Sequence, residues 1–335
     1  MTVSPLELAL ADSLELPDEA SLDPLWTQAF DAVGQLVLRP AKRVRPMLVL
    51  AGYRAAGAGE PTDGVLRFAA AQELLHAFML VHDDVADRAV TRRGEPALHH
   101  ELSRDPRLGE QLAIVAGDHL FALSIERMLT SGAPRAAEAT RYLLGICRHT
   151  AVGQYLDLSH AGTPLSELTL WDTMRVAHLK TARYGFVAPL VCGAMLAGAP
   201  EPMIDALARA GRHAGLAFQL RDDLIGLFGD DSVAGKAGDG DYFEGKRTFP
   251  VIAAWTRADA AARAELERLW DLTVKTPANC EAARELVRHF GGDRATQRMV
   301  ERSTRAALKS LASLPASSAR SQLEALVSKL AHRGN

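Results

Sequence analysis

Residues 73–94 read Glu-Leu-Leu-His-Ala-Phe-Met-Leu-Val-His-Asp-Asp-Val-Ala-Asp-Arg-Ala-Val-Thr-Arg-Arg-Gly, and three carboxylates, Asp83, Asp84 and Asp87, follow an apolar lead-in. Leu74, Leu75, Phe78, Met79 and Val81, with no Gly or Pro before Gly94, predict a buried helix. Asp83 and Asp87 are four residues apart and share one helix face. Like charges at that spacing repel by roughly 0.2–0.5 kcal/mol on a bare helix, a penalty that a cation between them removes. Arg92 and Arg93 come shortly after. Acids that hold a metal, beside arginines that hold phosphate oxygens, suit a metal–phosphate complex. The plainer alternative is a solvated acidic face. Such faces alternate with apolar ones, and this stretch does not.

A second stretch repeats the pattern. Residues 215–230 form an apolar helical run carrying Asp222 and Asp223, with Gln219 one turn earlier. Downstream, Gly235-Lys236 and Glu244-Gly245-Lys246-Arg247-Thr248 place lysines beside glycines. Two acid-bearing helices about 140 residues apart in sequence are expected to face each other across one cavity. An early basic cluster, Arg39-Pro-Ala-Lys42-Arg43-Val-Arg45, lies between Pro40 and Pro46 as a turn entering a helix. Backbone N–H groups at such a start add to anion binding; a solvated basic patch is the bland alternative.

The elements that must position these groups read as helices at roughly 25–38, 42–57, 64–87, 110–131, 134–159, 167–183, 184–197, 202–228, 249–257, 260–271, 278–290, 293–312 and 318–332. Gly/Pro clusters such as Gly57–Pro61, Ser131–Pro134, Gly198–Pro200 and Gly291-Gly292 separate them. No stretch alternates like a strand, and no Pro/Ser-rich linker divides the chain, so one all-α domain is expected. Residues 229–247 read as a glycine-rich flap over the cavity.

The formal net charge of −3 over 335 residues argues against a nucleic-acid binder. Cys147, Cys192 and Cys280 are far apart and lack zinc or redox spacing, so a reducing cytoplasm is the simplest home. Residues 1–24 are acidic without Lys or Arg, unlike a signal peptide; a mobile arm or a helix on a neighbouring subunit is expected there. The longest apolar run, Phe186–Ala199, contains Pro189 and is too short to span a bilayer, so no stable membrane insertion is expected.

Taken in order, Lys42-Arg43-Val44-Arg45-Pro46, Glu73–His76, His82–Asp87, Thr91–Gly94, Ala116-Gly117-Asp118, Gly153–Leu158, Lys180-Thr181, Phe218–Asp223, Gly235-Lys236 and Gly245–Thr248 resemble the motifs of the trans-prenyltransferases of the polyprenyl synthase family. These enzymes make geranylgeranyl, farnesyl and related diphosphates. The resemblance covers roughly residues 35–250 and is specific because ten pieces keep their order. It implies a single-domain (1–335) all-α, isoprenoid synthase-type helical bundle around a central cavity, assembled as a homodimer.

Further implications of the resemblance concern the site. Asp83, Asp87 and Asp222, with Asp223 second to it, would hold about three Mg²⁺ ions per active site. Lys42, Arg45, His76 and Arg93 would hold isopentenyl diphosphate. Arg92, Lys180, Thr181, Gln219, Lys236 and Lys246 would hold an allylic diphosphate (dimethylallyl, geranyl or farnesyl). Asp83, Asp87, Asp222, Lys180 and Arg92 are the implied catalytic set, because they stabilise the departing diphosphate electrostatically. Ionisation leaves an allylic cation, which the double bond of isopentenyl diphosphate attacks; a proton is then lost.

Two positions depart from the family. Ala41 stands where Gly usually precedes the lysine, and would be strained if that site needs a left-handed backbone. Gly226 stands where many members carry a third aspartate, four residues after Asp222; Asp230 or Asp231 would have to leave the helix face to compensate. Product length in the family is often set four and five residues before the first aspartate, here by Met79 and Phe78. A lone aromatic at the farther position resembles geranylgeranyl synthases, so Phe78 is expected to stop growth at twenty carbons. Helix geometry places Met79 about 40° and Phe78 about 140° from Asp83, so Phe78 reaches the tail only if the tail bends around the helix or the pocket lies between this helix and its neighbour. Competing readings are a farnesyl or longer-chain synthase, a class I terpene cyclase and a non-catalytic partner subunit. Retention of Lys42, Arg45, His76 and Arg93 speaks against a cyclase, and retention of all three first-motif acids against an inactive subunit.

Overall fold

Helix starts follow local chemistry in the computed structural model, which describes residues 4–15, 23–229 and 240–331. Ser4, Asp23 and Asp105 accept hydrogen bonds from the first-turn N–H groups of α1 (Pro5–Asp12), α2 (Pro24–Leu38) and α6 (Pro106–Leu129). Each of these helices opens with Pro, whose missing donor costs nothing at that position.

The chain divides into two compact units, Met1–Tyr142 with Pro189–Pro200, and Leu143–Ala188 with Glu201–Asn335. In the first, α3 (Val44–Ala55) and α4 (Asp63–Ala86) precede a two-stranded antiparallel hairpin, β1 (Thr91–Arg92) and β2 (Glu95–Pro96). The short α5 (Leu98–Leu102) leads to α6, and α7 (Ala136–Ala161) begins in this unit. Leu74, Ala77 and Val81 of α4 share a core with Leu10, Val33, Leu36, Leu120 and Leu123. Full burial of each large aliphatic side chain contributes about 1.5–3 kcal/mol. Leu10 is 1% exposed, so the described part of the acidic N-terminal stretch packs on its own unit rather than standing off as an arm. Among the described residues α4 alone is long and apolar enough to cross a membrane, and 67% of its apolar window is buried inside the protein.

The second unit contains most of α7, then α8 (Leu170–Val176), a π-helical stretch (Ala177–Val187), and α10 (Glu201–Phe228). It continues with α11 (Gly240–Phe243), α12 (Phe249–Arg257), α13 (Ala260–Trp270), α14 (Pro277–His289), α15 (Gly292–Leu311) and α16 (Ser318–Ala331). α10 packs against the π stretch and against α15. α11 is pinned by Tyr242, which is fully buried, donates from its hydroxyl to the Leu269 carbonyl at 2.9 Å, and meets Trp270 edge-on.

Two expectations fail here. The break between 183 and 184 does not occur: the helix runs through the π stretch directly into α9 (Ala188–Leu196). Pro189 cannot donate an ordinary helical bond, and the wider turn before it, with the Ala188 N–H on the Arg183 carbonyl, carries the chain through. The short hairpin at 91–96 is also absent from the sequence reading. It is only two residues per strand, too short to show alternation.

Candidate active site

The first unit builds its basic site around a carboxylate that periodicity hides. Glu73 on α4 is 3% exposed, and its Oε1 accepts from Arg43 Nη1 at 3.0 Å and Arg93 Nη2 at 3.4 Å. Arg43 is itself buried and donates to Glu7 and to the Val37 and Arg39 carbonyls. Both arginines have left-handed backbones, φ +46° and +56°. That conformation costs about 1–2 kcal/mol for an L-residue, and the shared ion pair opposes the cost. The strain expected at Ala41 is therefore misplaced: Ala41 does not have positive φ, and Arg43, the residue capping α3, does.

Arg43 thus holds the turn from which exposed Lys42 and half-buried Arg45 project. His76 lies one turn beyond Glu73. Burial first, and then the charges of Arg45, Arg93, Arg92 and Arg43, push its pKa well below the ordinary histidine value. It is therefore a neutral imidazole at pH 7, set among Arg45 and Arg93, its expected partners at one diphosphate.

The acidic motif divides its labour. Asp84, 2% exposed, takes Arg92 through Nε at 2.8 and 3.0 Å and also through Nη2. Burial works against the Arg92 charge, yet Asp84, with Asp83 and Asp87 adding their fields, holds its pKa above the ordinary value. Asp83 and Asp87 are half-buried, so the outer pair is presented while the middle acid fixes an arginine. Phe78 packs edge-on to His82 at 4.7 Å and against Phe121 of α6 at 5.1 Å, and Met79 is half-buried beside it.

Around α10 in the second unit, the candidate acids outnumber the candidate lysines. Thr181 Oγ1 donates to Gln219 Oε1 at 2.5 Å, and Gln219 Nε2 donates to Asp223 Oδ1 at 2.8 Å. Lys180 Nζ pairs with Asp157 of α7 at 2.7 Å. Gly153, one turn before Asp157, permits this approach: a Cβ there would lie 2.4 Å from the Lys180 backbone nitrogen. Lys246 pairs with Glu244 and lies 4.0 Å from Asp241. Burial, then Asp241, Asp222 and Asp157, push Asp223 up to about 8 against the Gln219 hydrogen bond. Burial, then Glu244, Asp157 and Asp222, push Asp241 up to about 7 against Lys246.

The expected residues therefore gather in two groups. Arg45, His76, Arg92 and Arg93 collect near Asp83 and Asp87 in the first unit; Lys180, Thr181, Gln219, Asp222, Asp223 and Lys246 collect in the second. Lys236, Asp230 and Asp231 lie outside the described residues. Arg43, Glu73, Asp84, Asp157 and Asp241 received no role from sequence. For Asp157 a signal existed, a Gly four residues before an acid within one helix.

The polyprenyl synthetase family model matches residues 27–287. A geranylgeranyl diphosphate synthase of Mycobacterium tuberculosis is 38% identical over 274 residues, 81% of this chain and 74% of the relative. A (2E,6E)-farnesyl diphosphate synthase of the same species is 34% identical over 256 residues, 76% of this chain and 68% of the relative. A crystal structure of geranylgeranyl pyrophosphate synthase from Corynebacterium glutamicum, complexed with isoprenyl diphosphate and magnesium, superposes with a TM-score of 0.86 at 31% identity, covering 99% of this chain and all of that one. On the match of its sequence and of its all-α fold, the chain belongs to the polyprenyl synthetase family and is a prenyltransferase.

Proposed function

We propose that this prenyltransferase condenses isopentenyl diphosphate with an allylic diphosphate in a Mg²⁺-dependent reaction and makes geranylgeranyl diphosphate. The observation that carries the reading is the separation of charge: a basic group around neutral His76 and an acid-rich group around Asp222, each built by buried supporting residues. Isopentenyl diphosphate is assigned to Lys42, Arg45, His76 and Arg93. The allylic diphosphate is assigned to Arg92, Lys180, Thr181, Gln219, Lys236 and Lys246.

The donor chemistry fits Mg²⁺. All candidate ligands are carboxylate oxygens, and burial with neighbouring acids pushes Asp223 up to about 8 and Asp241 up to about 7, a crowding of acid that a divalent cation would relieve. Among the described residues no three acidic, His or Cys side chains converge to hold a metal alone. Mg²⁺ characteristically takes one or two carboxylates and fills its remaining positions with water and phosphate oxygens. Asp83, Asp87 and Asp222, with Asp223 beside it, would hold the ions, which when bound neutralise diphosphate charge and make it a leaving group.

The protein's own groups do the rest. Lys180 and Lys246 act as point charges on the leaving diphosphate, and Arg92 adds a planar donor set. Lys42, Arg45, His76 and Arg93 orient the attacking double bond, which supplies effective concentration without a side-chain nucleophile. The apolar faces of α4 keep water from the allylic cation. No side chain is assigned the final proton; the released diphosphate is the base.

Phe78, backed by Phe121 and His82, is assigned as the stop for the growing tail, with Met79 beside it. The similarity to geranylgeranyl synthases supports twenty carbons, and the farnesyl relative supports a fifteen-carbon product as the second reading. The working form is assigned as a cytoplasmic homodimer whose chain acts as one functional domain, without stable membrane insertion. Incubation with Mg²⁺, isopentenyl diphosphate and labelled dimethylallyl, geranyl or farnesyl diphosphate tests the reading by product chromatography. A twenty-carbon diphosphate is expected, lengthened by Phe78→Ala. A main product of another length overturns the product assignment. A cyclised hydrocarbon formed without isopentenyl diphosphate overturns the condensation.

A further inference from the structure

Gly226 lies on α10 one turn beyond Asp222, at the position where many family members carry an aspartate. The space beside it is filled. A Cβ at residue 226 would lie 2.4 Å from Asp241 Oδ2, 2.6 Å from its Cγ and 2.9 Å from its Oδ1. All three are closer than real Cβ contacts, so the Asp241 carboxylate occupies the place that a side chain on residue 226 would enter. Asp241 belongs to α11, which the buried Tyr242 anchors, so this placement rests on a packed segment. The Asp241 carboxylate also feels the charges of Asp222 and Asp157, which places it on the acidic side of α10.

We propose that Asp241 supplies the missing third carboxylate of the second acidic motif, in the space that Gly226 leaves open beside α10. This rests on the reading of the Asp222 group as a Mg²⁺–diphosphate site. Among the described residues no three acidic side chains converge on one metal position, so Asp241 would serve the ion held by Asp222 as an outer carboxylate. Side chains of that kind cost about 10–100-fold in metal affinity when removed. Its role is thus to place and charge-balance the ion held by Asp222, from another segment of the chain.

Mn²⁺ binding to the full-length protein in the presence of inorganic pyrophosphate, followed by electron paramagnetic resonance, tests this without relying on turnover. Asp241→Asn keeps the shape and should weaken the weakest Mn²⁺ site by about tenfold or more, with the metal-free melting temperature retained. Asp241→Gly should show the same loss. Gly226→Asp in that background moves the carboxylate back onto α10, into the vacated space, and should recover most of the lost affinity. Gly226→Asp alone, which crowds two carboxylates into one place, should not bind better than wild type. Wild-type Mn²⁺ affinity in Asp241→Asn, or no recovery in the folded double variant, would overturn the proposal while leaving the wild-type metal site standing. Failure of the wild-type protein itself to bind Mn²⁺ with pyrophosphate would overturn the underlying reading and the proposal with it.

Discussion

The group around α4 and the group around α10 use charge in opposite ways. Around α4 each buried charge has an opposite partner: Asp84 takes Arg92, and Glu73 takes both Arg43 and Arg93. Around α10, Asp157, Asp222, Asp223, Asp241 and Glu244 share Lys180 and Lys246, and two of the acids keep their protons to about neutral pH. The first group is held by ion pairs and surrounds a neutral histidine. The second carries an excess of acid that a divalent cation would relieve. Similar sequence motifs, an apolar helix with adjacent aspartates, thus give one group organised by ion pairs and one in which acids crowd together.

Breaking either acidic motif should have the largest effect. Asp83→Ala and Asp222→Ala should each lower turnover by about 10²–10³-fold or more, as losses of transition-state charge stabilisation do, while circular dichroism shows the fold retained. Near-normal turnover of either variant at saturating Mg²⁺ would remove that motif from the reaction.

Next comes the half held by ion pairs. Glu73→Ala leaves buried Arg43 and partly buried Arg93 without their shared carboxylate, each on a left-handed backbone. Removing one member of a buried pair costs about 3–5 kcal/mol, so denaturant unfolding should show a loss of that order. The corresponding single change in the acid-rich half, Asp223→Asn, should not destabilise the metal-free protein. If both changes cost the same, the contrast between the halves is wrong.

A finer test separates the substrates. Lys42→Ala or Arg45→Ala should raise KM for isopentenyl diphosphate more than KM for the allylic substrate, and Lys180→Ala or Lys246→Ala should do the reverse. Phosphate contacts of this charge-assisted kind are worth about 1.5–3 kcal/mol, so shifts of roughly tenfold or more are expected. Equal effects on both substrates would merge the two groups functionally.

The smallest effect is the pH dependence of stability. Asp223 and Asp241 have folded pKa values of about 8 and about 7, both above the ordinary aspartate value. The folded state therefore binds more protons than the unfolded chain between the ordinary aspartate pKa and these values. The stabilising contribution is full below that window and is lost as pH rises through about 7–8. In EDTA the melting temperature should fall between pH 6 and pH 9 in the wild-type protein and fall less in Asp223→Asn. A flat wild-type profile with no difference from the variant would contradict the buried-acid description.

How much of this was legible in sequence follows the physics of each signal. Helical periodicity and Gly/Pro breaks located the long helices, because both act over neighbouring residues, and missed the short ones at Pro5–Asp12, Leu98–Leu102 and Gly240–Phe243. The motif acids and cations were legible as types at spacing, and they fall into the two groups described. The supporting residues were not. Glu73 reads as one more polar residue until Arg43 and Arg93, 30 and 20 residues away, are seen on the same oxygen. Gly226 reads as a loss until Asp241, 15 residues later, is found in its place. The π stretch after Val176 was missed because a wider turn changes the helical period without any residue type that marks it.

If the excess acid around α10 holds metal for prenyl transfer, elongation depends on Mg²⁺ and on Asp222. The most direct measurement is transfer of label from an allylic diphosphate into product, in EDTA-treated protein, as Mg²⁺ is titrated back with isopentenyl diphosphate present. No elongated product is expected in EDTA, and a saturable rise with Mg²⁺ that Asp222→Ala abolishes. Full-rate elongation in EDTA, or no elongation with any allylic starter at saturating Mg²⁺, would contradict this expectation.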